Sequence, residues 1–250
     1  MRIERRVINE EKGILQITTP SERFYGREAA GKTIWVPSVT WICEFYPKGK
    51  GYWMWLANNK SWDESEALKQ AAGERGGKIH QGCSMLMDGI TIKLDTKITN
   101  PDTGLLEEFT PDEYEAVVSF SDWWNKNDPI LVDKDFTVFD SQDLYAGTVD
   151  ILVKLDGKLT LIDLKTGQNI WPSYELQVSA YKHAIMGEMD LAILQLGYRK
   201  NKAKYKYTEI EDKFDLFLAA RQIWANEMKD VQPHQKDYPL SIKLKIKKEA

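Results

Sequence analysis

Two aspartates and a lysine are the side chains best placed for chemistry in this sequence. Gly147-Thr148-Val149-Asp150 sets an acid inside an otherwise apolar run, and Leu161-Ile162-Asp163-Leu164-Lys165 does so again thirteen residues later. Asp156-Gly157, between the two runs, is a two-residue hairpin signal. Side chains alternate along a strand, so Asp163 and Lys165 share one face and Leu164 points to the other. Asp150 and Asp163 each stand six residues from the turn, which lets them meet across the ladder. Carboxylates that close repel, and burial raises their pKa values, so the pair is costly without a cation between them. Mg²⁺ suits such a site, because it prefers oxygen ligands at roughly 2.0–2.1 Å and keeps water and substrate phosphate in its shell. An ion of that kind activates water and stabilises charge developing on phosphorus. A neighbouring lysine orients the water or meets that charge as a point cation.

Asp-x-Lys by itself carries little information. Asp95-Thr96-Lys97 repeats it after an apolar run and reads as a solvated strand end. Asp163-Leu164-Lys165 differs in its company: a partner acid on a paired strand, a Thr166-Gly167 exit, and then a helix on which Gln177 and Tyr181, four apart, share a face. Alone, Asp163 and Lys165 read as a salt bridge at a strand end; the whole set reads as a site.

The elements that must position this set follow from pattern. Ile130–Phe139, Tyr145–Leu155 and Lys158–Leu164 are β-branched and apolar, and read as three antiparallel strands. A helix over Pro172–Met186, strands over Leu191–Tyr198 and Lys204–Ile210, and a closing helix over Lys213–Lys229 complete residues 129–250. Residues 1–128 read as mainly helical after one short strand at Ile14–Thr18. Ser38 caps a helix over Val39–Tyr46, Tyr52–Asn58 is a second, and a longer one starts at Ser61. Leu68, Ala72, Ile79, Cys83, Leu86 and Ile90 recur near helical period along that last helix. Gly73, Gly76 and Gly77 either break it or let its His80 side approach another backbone; Gly73, Gly77, His80 and Ser84 follow at three- and four-residue steps. Residues 98–110 read as a loop or hairpin, and Pro111 opens a helix over Asp112–Asn127. The expectation is one α/β domain over residues 1–250, a central mixed sheet flanked by helices.

A net charge of −4 argues weakly against a metal-free nucleic-acid binder and hardly against a metal-assisted one, since phosphate contact needs only a local basic patch. Basic residues cluster at Arg199–Lys206 and Lys243–Lys248. Arg199 and Lys200, with their neighbours, are either a solvated hairpin or phosphate contacts. Nine tryptophans and eleven tyrosines read mostly as core, the rival reading being surfaces for unpaired bases. Trp171 is either a stacking platform or a helix-start anchor. Cys43 and Cys83 are the only cysteines, too few for a four-cysteine zinc or iron–sulfur site, and read as buried free thiols. The charged N-terminus and the lack of a long apolar run predict a soluble, intracellular, cytoplasmic protein without a membrane partner.

In order and spacing, these motifs resemble the RecB-like and lambda-exonuclease-like branch of the PD-(D/E)xK nucleases. The branch pattern is a helix histidine, G-x-x-D, D-x-K-T-G and Q-x-x-x-Y. Here it reads His80 in GKIHQG, Gly147–Asp150, Asp163–Gly167 and Gln177–Tyr181, with Val36-Pro37-Ser38-Val39-Thr40 similar to the opening phrase of such proteins. The resemblance spans residues 36 to about 200 and implies a restriction-endonuclease-like core. It implies Mg²⁺ or Mn²⁺ held by Asp150, Asp163, His80 and the main-chain carbonyl of Leu164, and water positioned by Lys165. Gln177 and Tyr181 would hold the site and the scissile strand, with Thr166, Trp171, Arg199 and Lys200 as further substrate contacts. DNA is the implied substrate and exonucleolytic hydrolysis the implied activity, in recombination, repair or replication, from a microbial or viral source. An endonuclease on the same core and a non-catalytic nucleic-acid-binding module are the alternatives. The sequence has no phosphate-binding motor loop, so a recombinase, single-strand-binding protein or helicase would be a separate partner.

Overall fold

The computed structural model of the chain describes residues 4–9, 13–19, 22–29, 31–101, 103–140, 142, 144–234 and 241–244. Its strands are β1 (Glu4–Asn9), β2 (Ile14–Thr18), β3 (Arg23–Ala29), β4 (Lys32–Pro37), β5 (Lys97–Thr99), β6 (Leu106–Glu108), β7 (Ile130–Asp140), β8 (Tyr145–Leu155), β9 (Lys158–Lys165), β10 (Asp190–Leu196) and β11 (Tyr205–Ile210). Its helices are α1 (Val39–Glu44), α2 (Lys50–Asn58), α3 (Trp62–Met87), α4 (Pro111–Asn127), α5 (Pro172–Ile185) and α6 (Phe214–Glu227).

The Asp156-Gly157 signal holds. Both residues are left-handed, at φ 50 and φ 80, and Leu155 pairs with Lys158 across them. That is the backbone a two-residue hairpin needs to match strand twist. The resulting sheet runs β11-β10-β9-β8-β7, with β9 and β10 parallel and the other neighbours antiparallel. The fold is therefore α/β with a five-stranded mixed central sheet. Val149, Leu161 and Ile193 pack in one core with residues of α1, α5 and α6; Ile151, Ile162 and Leu194 pack in another with residues of α3 and α4. With both faces covered, β8, β9 and β10 are buried along most of their length, which explains their nearly continuous apolar runs.

The expectation of one short strand before the first helix is corrected. Four strands, not one, precede α1, in the antiparallel order β1-β2-β3-β4. Gly13 (φ 59) and Gly31 (φ 74) supply left-handed positions beside their turns. Ile14, Tyr25 and Val36 bury one face of this sheet against Ala146 and Phe139. Both faces of this sheet carry buried residues, Ile17 and Phe24 lying on the face opposite Tyr25 and Val36, and the charges of β3 interrupt the apolar period in the sequence.

The helix starts were legible. Ser38 and Ser61 cap α1 and α3 by accepting from the Trp41 and Glu64 N–H groups, and Thr110 and Glu113 form a reciprocal capping box at α4. α3 runs unbroken through Gly73, Gly76 and Gly77. A close approach falls on Gly82. A Cβ at Gly82 would stand 2.9 Å from Phe109 and 3.0 Å from Val117, whereas Gly73 faces open space and Gly76 ordinary contact with Thr166. Residues 98–110 contain the β5–β6 hairpin, with Lys97 exposed at its start.

Candidate functional site

The backbone pairing of β8 and β9 runs from Leu155↔Lys158 to Ile151↔Ile162 and ends there. Asp150 and Asp163 lie just beyond the last pair, so they do not face each other within the ladder as the turn spacing predicted. The Asp150 carboxylate takes over a backbone role instead: its Oδ2 accepts the Leu164 N–H at 2.7 Å. The strand alternation also changes face here. Val149 and Leu152 lie in the core beneath α5, and Ile151 and Val153 in the core beneath α3. On the other side of β8 the β7 register passes over Asp135, a non-glycine residue at φ 50. This local irregularity brings side chains of both helical layers to one point.

From the α3 side, His80 Nδ1 lies 3.5 Å from Asp150 Oδ1. One turn further on, Ser84 donates to Asp135 Oδ2 at 2.5 Å and accepts from Lys134. The His80–Ser84 face is thus the docking face of α3 on the irregular strands. From the α5 side, Lys165 Nζ stands 2.5 Å from Asp163 Oδ2 and donates to Gln177 Oε1 at 3.3 Å. Gln177 in turn donates to the Tyr181 hydroxyl at 3.1 Å. Tyr181 seats against Gly147, where a Cβ would fall 2.5 Å from the ring. The glycine of G-x-x-D is therefore a steric requirement of the tyrosine in Q-x-x-x-Y. Tyr174, which the sequence reading passed over, places its ring 4.7 Å from Lys165 Nζ. Its signal was present: Tyr174, Gln177 and Tyr181 recur at three and four residues on one helix face.

Asp163 is 1% exposed; Lys165 holds its Oδ2, and Oδ1 has no partner among the described residues. Burial pushes this carboxyl up to about 6, against the pull of Lys165 and with a further push from Asp150. Burial acts on Asp150 in the same direction, but His80, Lys165 and the Leu164 N–H outweigh it and hold the group below the ordinary range. Burial lowers His80 and Lys165, and the two carboxylates more than reverse it, so both bases are raised and hold their protons more firmly.

The strand exit is built by residues the sequence did not single out. Gln195 on β10, opposite Lys165 in the parallel register, donates to the Gly167 carbonyl at 2.9 Å. Gln168 bridges the Gly197 carbonyl and the Arg199 N–H. Arg75 of α3 reaches the Thr166 carbonyl at 3.4 Å, which makes Thr166 part of the α3 junction. Trp171 precedes the first turn of α5 and remains 40% exposed, lining a cavity of about 330 Å³ with Tyr46, Tyr52, Tyr174 and Gln177. Arg199 is paired with Asp112 at 2.8 Å and Lys204 with Glu115 at 3.4 Å; Lys200 is exposed. Of the Lys243–Lys248 cluster, residues 245–248 lie outside the described residues. Cys43 and Cys83 are buried free thiols, as expected, and burial pushes Cys43 up to about 12.

Among the described residues no group of three or more His, Cys, Asp or Glu side chains is disposed to hold a metal ion, so His80, Asp150 and Asp163 do not form a closed ligand cage. No helix among these residues is long and apolar enough to cross a membrane. No family model matches the chain, and no curated protein matches it significantly.

Proposed function

We propose that the chain is a metal-dependent deoxyribonuclease of the PD-(D/E)xK type with a restriction-endonuclease-like core, acting as an exonuclease in recombination, repair or replication. The observation that carries this reading is the Asp163 carboxylate: buried, beside a second acid, with Oδ2 held by Lys165 and Oδ1 left without a partner among the described residues. Buried polar atoms are normally satisfied, and an unmet carboxylate oxygen costs stability. A structural ion pair gives no reason to keep that cost, whereas a divalent cation uses the free oxygen. The donors are of the right chemistry but are not arranged as a cage: Asp150, Asp163 and His80 are the residues that would hold Mg²⁺ or Mn²⁺, an ion that takes water and substrate oxygens for the rest of its shell. When bound, the ion supplies Lewis acidity and a more acidic water.

The chain's own residues do the rest. Asp150 is held by the Leu164 N–H and His80, so its orientation is set by backbone. Lys165 keeps its proton and is fixed by Asp163, Gln177 and the Tyr174 ring, a preorganised positive charge for a phosphate whose negative charge grows during attack. Gln177, braced by Tyr181 on Gly147, sets where that charge sits. The preference for an exonuclease rests on the motif resemblance.

The test is digestion of end-labelled linear DNA beside a closed circle, with Mg²⁺, Mn²⁺ or EDTA, for wild type and Lys165→Ala. Metal-dependent loss of linear DNA, sparing the circle and reduced roughly 10²–10³-fold in the variant, is expected. A cut circle would make the enzyme an endonuclease. Inactivity with both metals would sink the catalytic reading. A second readout is independent of turnover: Mn²⁺ raises the melting temperature of wild type and fails to do so in Asp163→Asn.

A further inference from the structure

We propose that the cavity between the α1–α2 turn and the start of α5 is a subsite for one unpaired nucleotide, and that α2 continues it as a track for single-stranded DNA. That this strand is the one to be cut rests on the nuclease reading above; its binding does not. The cavity, about 330 Å³, stands at the small end of ligand sites, which run roughly 300–1,000 Å³, and suits a single nucleotide rather than a duplex. Tyr46, Lys48, Tyr52, Trp171 and Tyr174 line it, together with Gln177. Gln177 and Tyr174 both contact Lys165 as well, so the cavity wall shares two residues with the surroundings of the candidate catalytic lysine.

The surface beyond it has the same character. α2 buries none of its residues, and Trp53 (56%) and Trp62 (61%) are exposed on either side of its C-terminal end. A helix of a globular protein normally buries an apolar stripe, and large aromatic faces left in water forgo a substantial hydrophobic gain. Lysines stand among these rings: Lys48 lies over Tyr52 at 5.8 Å, while Lys69, over Tyr52 at 5.7 Å and Trp62 at 5.3 Å, is already paired with Glu66, which leaves Lys48 as the cation offered to phosphate here. Residues 45–62 contain Lys48, Lys50 and Lys60 and no acid, in a chain whose net charge is −4. Glu44 is the one acid in the cavity lining. Rings for base faces, interleaved with cations for phosphates, are what a single strand requires and a duplex cannot use, because its base faces are already stacked. A protein partner would also use aromatics, but lysines are depleted from protein–protein interfaces.

The test is fluorescence anisotropy in EDTA, with a labelled oligo-dT 20-mer and a 20-base-pair duplex as probes. The single strand binds at least tenfold tighter than the duplex, and its affinity falls with salt. Trp171→Ala and Tyr52→Ala each weaken it about tenfold, within the range known for base stacking, while Trp171→Phe retains it. Should Trp171→Ala not fold, Tyr52→Ala decides, since α2 buries no residue. Equal binding of duplex and single strand, or wild-type affinity in both alanine variants, overturns the proposal. Binding to neither probe overturns it too, and leaves the aromatic face to a protein partner. The two readings fail separately. Single-strand binding without cleavage in Mg²⁺ or Mn²⁺ removes the nuclease and leaves the subsite; cleavage with unaltered Trp171 and Tyr52 variants does the reverse.

Discussion

Two glycines in this molecule each lie under an aromatic ring, one in the central sheet and one in the N-terminal sheet. A Cβ on Gly147 would fall 2.5 Å from the Tyr181 ring, and one on Gly26 would fall 2.6 Å from the ring of its cross-strand neighbour Trp35. The local device is the same, but the surroundings are not. Tyr181 is 2% exposed and its hydroxyl is held by Gln177, so the ring has nowhere to move. Trp35 is only half-buried and can shift toward solvent. The first contact therefore transmits to Lys165 through Gln177, and the second remains local. Sterics of equal tightness do different work depending on whether the ring can yield.

Substitution measures that difference. Gly147→Ala overpacks a site without slack and should cost about 1–3 kcal/mol, a fall of roughly 2–4 °C in melting temperature for each kcal/mol. Gly26→Ala should cost well under half as much in the same melts. In a Tyr181→Ala background the Gly147→Ala penalty should vanish, because the clash has been removed. Equal penalties at the two glycines, or additivity at Gly147 and Tyr181, would break the comparison.

Proton linkage separates the buried site from the surface with opposite signs. Asp163 is raised to about 6, chiefly by burial, so in metal-free protein the native state holds a proton that the unfolded chain has lost. Its contribution to stability is full below the ordinary carboxylate range and disappears as pH rises through about 6. Asp212 is displaced the other way: burial pushes it up, but Lys182 and His183 hold it below its usual value. Its contribution is present above the ordinary range and lost on acidification. Melting temperatures in EDTA should then show Asp163→Asn gaining on wild type from about pH 4 to pH 6, and Asp212→Asn gaining only as pH falls below about 4. A flat difference for Asp163→Asn would mean that its carboxyl ionises normally in the folded protein.

The same contrast decided what could be read in advance. In the central sheet each local signal agreed with the fold: the Asp-Gly turn, the apolar runs of strands covered on both faces, and helix caps followed by periodic residues. Asp163, Lys165, Gln177 and Tyr181 come together because strand and helix periods fix their faces, and those periods are visible in sequence. What sequence could not show is that pairing stops at Ile151↔Ile162 and that the Asp150 carboxylate replaces a ladder acceptor. At that break α3 docks through His80 and Ser84, contacts far away along the chain. In the N-terminal sheet apolar residues are buried on both faces and charges interrupt the alternation, so three of its four strands have no clear period in the sequence. The tryptophans misled for a related reason. Trp41, Trp123 and Trp224 are core residues, but Trp53, Trp62 and Trp171 are exposed, and composition does not distinguish the two groups.

The smallest expected effect concerns the basic turn around Arg199, which sequence alone left open as a phosphate contact. Its charge is already matched: Asp112 faces Arg199, and Glu115 faces Lys204. The segment over residues 45–62 has no acid of its own. Phosphate attraction should follow the segment without internal acids, because a cation that already has a partner must give it up before it gains a phosphate. Arg199 and Asp112 are both about two-thirds exposed, so the pair contributes little to folding as well. Arg199→Ala should then leave the melting temperature within about 1–2 °C of wild type, and oligo-dT affinity in EDTA within about twofold. Lys48→Glu in the same assay should weaken binding severalfold and flatten its salt dependence, since one phosphate contact is lost and a repulsion is added. A tenfold loss for Arg199→Ala with Lys48→Glu unaffected would move the strand's path from α2 to the β10–β11 turn.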